Sequence, residues 1–139
     1  MTLVKKTVVA FSALALAACA GMMAGGTSVS VNLTGAEQVP PVSTAASGSG
    51  RFTIGDDGSV KGSVSTTGVQ GTMAHIHMAP KGQNGGVIVP LTKSGDTYTT
   101  PDTAKLNEAQ MSAFKAGNLY VNVHSAANKG GEIRAQLQP

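Results

Sequence analysis

Chemistry-bearing side chains are scarce in this chain of 139 residues, which has one cysteine, three histidines and no tryptophan. The single thiol excludes an intramolecular disulfide, so stability must come from a packed core or a bound ion. Asp and Glu number seven against ten Lys and Arg, and Lys5 and Lys6 account for two of the net +3. The remainder is close to neutral and has no basic cluster, which argues against a nucleic-acid partner. Glycine-rich stretches are present, but neither phosphate-loop chemistry nor a nucleophile elbow accompanies them. Ser47–Gly50 is not followed by a helix, residues 82–86 lack the GK[ST] ending, and no GxSxG occurs. Nucleotide binding and serine hydrolysis have no starting point here.

The N-terminus carries an export signal. Lys5 and Lys6 precede the apolar run Thr7–Leu16, which is too short to span a bilayer, where about 20 residues are needed. Leu16-Ala17-Ala18-Cys19 resembles the bacterial lipobox, in which the cysteine is lipidated after cleavage just before it. An ordinary secretory signal cut after Ala18 is the alternative. The expected organisation is therefore a signal peptide over 1–18, a lipidated Cys19 with a flexible tether over 19–27, and one domain over 28–139. Two or three acyl chains would hold that domain to the membrane. Ala20 after the cysteine, in place of Asp, implies by the same resemblance an outer-membrane destination in the cell envelope, facing periplasm or exterior.

Beyond the tether, short alternating segments rich in Val, Thr, Ser and Gly are separated by turn residues. Strands are expected at Val29–Leu33, Gly50–Ile54, Val60–Ser65, Met73–Met78, Gly86–Leu91, Thr97–Thr99, Leu119–His124 and Glu132–Leu137. Asp56-Asp57-Gly58 closes the first hairpin. One segment differs: Asn107 with Gln110 forms an N-cap and capping-box pair, and Gly117 supplies the stop, which predicts a short helix over 108–116 burying Met111 and Phe114. The pattern predicts an all-β sandwich with this helix before the penultimate strand.

The histidines fall in two of the strands, in AHIH (Ala74–His77) and NLYVNVHS (Asn118–Ser125). Strand side chains alternate between faces, so with Ile76, Val121 and Val123 inward, His75, His77 and His124 all face outward. If the two strands are neighbours, the three imidazoles can converge on a cation. Neutral nitrogen donors suit copper first and zinc next. Met73 shares the histidine face and is a candidate fourth ligand for Cu(I), whereas Met78 is expected in the core. The competing reading has the imidazoles hydrogen-bonding to backbone or to carboxylates such as Glu132, with no metal. Glu132 and Arg134 share parity; they form either an exposed ion pair or a group that orients a histidine or draws an anion to the site.

The series LTGAEQVPPVST (Leu33–Thr44), AHIH, NGGVIVPL (Asn84–Leu91), GNLYVNVHS and GGEIRAQL (Gly130–Leu137) resembles the chordin-type domain, CHRD, found in exported bacterial proteins and in animal chordin. Val60–Ala79, His124 and Arg134 are more distantly similar to copper,zinc superoxide dismutase, in which an HxH strand and a late histidine ligate copper and an arginine attracts superoxide. That likeness implies a Greek-key, immunoglobulin-like or dismutase-like sandwich with the site on its outer wall. No histidine lies between His77 and His124, so the bridging ligand and zinc site of the dismutases are missing, and little dismutation is expected. The leading expectation is a lipid-anchored, metal-binding or metal-buffering envelope protein. A metal-free interaction or scaffolding domain is the second, and a redox enzyme is the third. Catalysis is left open but disfavoured, and no protein partner is legible.

Overall fold

Alternation of small polar and apolar residues produces eight strands in the computed structural model, which describes residues 25–139. These are β1 (Gly26–Thr34), β2 (Ser47–Gly55), β3 (Val60–Thr67), β4 (Gly71–Met78), β5 (Gly86–Ser94), β6 (Thr97–Thr99), β7 (Leu119–Ser125) and β8 (Ile133–Leu137). Each expected strand is present. The expected signal peptide, Cys19 and most of the tether lie outside the described residues, and Gly26 and Thr27, at the tether's end, already pair with Gly55 and Ile54.

The sheet closes on itself in the ring order β1-β2-β3-β6-β5-β4-β7-β8, with every adjacent pair antiparallel. This corrects the expected Greek-key sandwich, immunoglobulin-like or dismutase-like: there are not two facing sheets but one eight-stranded barrel. Closure is made where Thr34 of β1 meets Arg134 of β8, which removes the two free edges that an open sheet would expose. A barrel of this strand number is just wide enough for side chains to fill. Leu33, Phe52, Val64, Ile76, Val121, Val123, Ile133 and Leu137 do so, all essentially inaccessible. The interior is apolar and the outside largely polar, the reverse of a transmembrane barrel.

The β2–β3 hairpin turns at Gly58, whose φ of +86° requires glycine, and the Asp57 carboxylate accepts from the Ser59 amide at 2.9 Å. Between β6 and β7, α1 spans Glu108–Lys115. Its Asn107 side chain accepts from the Gln110 amide and the Gln110 side chain accepts from the Asn107 amide, both at 2.9 Å. Phe114 is buried and Met111 packs against the core from its margin, as the capping pattern predicted.

Met78 departs from expectation. It is 41 % exposed, with Ala79 buried beside it. The register between β4 and β5 slips between Ile76 and His77, so that Ile76 faces Val89 but His77 faces Val87. The extra residue of this bulge, Ile88, is on β5; the β4–β7 register runs unbroken to Met78↔Leu119, and Met78 is exposed as the last residue of β4.

Candidate metal centre

β4 and β7 are direct neighbours, in the register Met73↔His124, His75↔Asn122 and His77↔Tyr120. Ala74, Ile76, Val121 and Val123 fill the barrel interior, so strand parity sends all six of these paired side chains to the outer wall. The ring centroids of His75 and His124 lie 4.9 Å apart, those of His75 and His77 5.6 Å, and those of His77 and His124 6.1 Å. One ligand nitrogen from each lies within 4.8 Å of the others. Three nitrogens about 2.0–2.1 Å from a tetrahedral ion stand roughly 3.3 Å apart. The His75 Nδ1 to His124 Nε2 distance is already 3.1 Å. The third nitrogen closes with a movement on the order of 1 Å.

Backbone carbonyls orient two of the rings. His77 Nδ1 lies 2.9 Å from the Gly85 carbonyl and His124 Nδ1 lies 2.8 Å from the Lys129 carbonyl. A carbonyl can only accept, so each Nδ1 carries the proton and each Nε2 presents a lone pair. Metal-ligating histidines are fixed in this way in general. His77 Nε2 is buried without a hydrogen-bond partner, as is Asn122 Oδ1 on the same wall. A buried acceptor left unpaired is costly, and a cation would satisfy it. Burial holds the pKa of His77 and of His75 below 6.5, and the neighbouring imidazoles add to the effect. Both rings are therefore neutral at pH 7, the state in which they can ligate.

His77 is only 7 % exposed although it lies on the outside of the barrel. Its ring stacks on Tyr120, with centroids 4.7 Å apart and planes 2° from parallel. The Arg134 guanidinium covers the other face of Tyr120, 3.5 Å from the ring centroid. The Tyr120 hydroxyl accepts from the Gly85 amide at 3.1 Å. Gly85 has no room for a side chain, since a Cβ there would meet the Met78 carbonyl. The loop between β4 and β5 is thereby held against the wall, and its carbonyl is aimed at His77. Asn84 of that loop donates to the Val39 carbonyl at 2.7 Å, and this joins it to the segment after β1 that also covers the wall.

Arg134 is 1 % exposed and donates to Asn84 Oδ1 and Gln136 Oε1, each at 3.3 Å. The exposed ion pair with Glu132 does not form. Glu132 precedes β8 and accepts from the Thr44 hydroxyl at 2.7 Å, and the hydroxyls of Ser125 and Thr44 keep its carboxyl below the usual range. Among the described residues no carboxylate lies within ion-pair distance of Arg134; the pair that forms is Lys81 with Glu37, at 3.3 Å. Met73 is 49 % exposed and shares an apolar groove with His124. Cys19 lies outside the described residues. The sequence reading missed Tyr120 and Gly85, although Tyr120 shares parity with His124 and was open to the same reasoning.

The chain matches the family model of the CHRD domain over residues 29–137 and belongs to that family. No curated protein matches it, and no solved structure does.

Proposed function

We propose that this CHRD domain binds one transition-metal ion through His75, His77 and His124, and that its role is to hold or buffer that ion at the cell envelope. The supporting observation is the meeting of three imidazoles from β4 and β7, two of them turned by the carbonyls of Gly85 and Lys129. Copper leads because nitrogen donors bind it most tightly among the divalent first-row ions, and zinc follows. Envelope anchoring through a lipidated Cys19 rests on Lys5, Lys6 and the Leu16–Cys19 signal, and its direction to the outer membrane on Ala20. Mass spectrometry of the N-terminal peptide and membrane fractionation test it; an unmodified thiol in the soluble fraction would refute anchoring.

The metal reading is tested by titrating the metal-free full-length protein with Cu(I), Cu(II) and Zn(II). One-to-one binding tighter than about 1 μM, lost in His77→Ala, is the expected result. Unaltered affinity in that variant would reject the site. A second reading has one observation of its own: without an ion, His75 Nδ1–H can donate to His124 Nε2 across 3.1 Å, a bond that ties β4 to β7 in a metal-free interaction domain. On that reading His75→Ala changes stability equally with and without chelator.

A further inference from the structure

Two features of the wall concern the charge and softness of the ion that the three histidines would hold. The first is Met73. It is the direct cross-strand partner of His124 and lies two residues from His75 on the same strand. Opposed side chains on neighbouring antiparallel strands have Cβ atoms about 4.5–5.5 Å apart, within reach of a thioether. Met73 and His124 line one apolar groove of about 390 Å³ with Thr72, Ser125, Ala126 and Lys129. An unbranched side chain left 49 % exposed at that position is free to swing its sulfur toward the imidazoles.

The second feature is electrostatic. All three donors are imidazoles, and among the described residues the cluster contains no carboxylate or thiolate. The guanidinium of Arg134 lies on the far face of the Tyr120 ring on which His77 stacks; among the described residues no carboxylate is within ion-pair distance of it, and Glu37 acts on it from farther away. The two stacking distances place this cation about 8 Å from the His77 ring. A second unit of positive charge at roughly 10 Å from Arg134 is disfavoured by at most about tenfold at an effective dielectric near 20, since Glu37 offsets part of that charge. The surroundings therefore discriminate against a divalent ion and in favour of a monovalent one, and a thioether does the same by its softness.

From these two observations we infer that the site is a Cu(I) site, completed by the Met73 thioether as fourth ligand. The inference rests on the three-histidine reading above and adds to it the oxidation state and the fourth donor.

The test compares the wild-type full-length protein with Met73→Leu, both metal-free and anaerobic, in competition with a chromophoric Cu(I) chelator and in parallel Zn(II) titrations. Loss of the thioether is expected to lower Cu(I) affinity about tenfold or more and to leave Zn(II) affinity within about threefold. X-ray absorption of the Cu(I)-loaded wild type is expected to show one sulfur scatterer that the variant lacks. Met73 is half-exposed, so the variant should melt with the wild type in chelator. A nitrogen-only copper shell, or equal Cu(I) affinity in the two proteins, overturns the inference while leaving the histidine site standing. Wild-type protein that binds neither ion overturns both.

Discussion

Gly85→Ala is expected to disable the metal centre from a position that contributes no ligand. A Cβ on residue 85 would collide with the Met78 carbonyl, a backbone atom at the end of β4 that cannot rotate aside. The β4–β5 loop must then move outward. That movement separates the Gly85 carbonyl from His77 Nδ1, now at 2.9 Å, and the Gly85 amide from the Tyr120 hydroxyl, now at 3.1 Å. Each hydrogen bond contributes about 1 kcal/mol net, so the metal-free variant should lose roughly 2 kcal/mol, and more if the buried Tyr120 hydroxyl is left unpaired. Metal affinity should fall by about 10- to 100-fold, the usual effect of releasing a group that orients a ligating imidazole. Urea unfolding in chelator gives the first quantity and competition titration the second. Gly86→Ala is the control, because a Cβ there meets nothing within 4 Å. If Gly85→Ala matches Gly86→Ala in both assays, the proposed chain of contact from loop to imidazole is wrong.

Three further outcomes follow from the same contacts. In chelator, stability should be full above about pH 6.5 and decline below it. Burial keeps the folded-state pKa of His75 and His77 under 6.5, so the unfolded chain takes up protons that the folded chain resists. A flat urea-midpoint profile between pH 7 and 5 would contradict this. Asn107→Ala removes the helix cap on the Gln110 amide and should cost about 1 kcal/mol in thermal or urea unfolding. Phe114→Ala empties a buried helix contact and should cost about 3–5 kcal/mol, against a change under about 1 kcal/mol for the exposed Lys115→Ala.

The strands and the helix were legible because their signals are local. Val29, Val31 and Leu33 alternate with polar neighbours, and all three are buried. Asn107 and Gln110 announce the helix start by a reciprocal bond three residues apart. Closure was not legible, since alternation gives each strand one apolar face in a sandwich and in a barrel alike. The decision is made by long-range pairs such as Thr34 with Arg134 and Val64 with Tyr98. Parity put His75, His77 and His124 on one face, but only the β4–β7 register brings them together. Arg134 was expected at the surface by the same parity. It is buried because the aperiodic segments 35–46 and 80–85, linked through Asn84 and Val39, cover that part of the wall. The one-residue slip at Ile88 on β5 and the exposure of Met78 at the end of β4 leave no mark in composition or spacing.

The metal centre is tested most directly by measuring the metal content of the protein isolated from its own cell envelope, beside His124→Ala isolated in the same way. About one copper per chain in the wild type, bound through imidazole nitrogen and absent from the variant, is the predicted result. Protein that leaves the envelope metal-free and takes up neither copper nor zinc would contradict it. His75 and His124 would then be a hydrogen-bonded pair and nothing more.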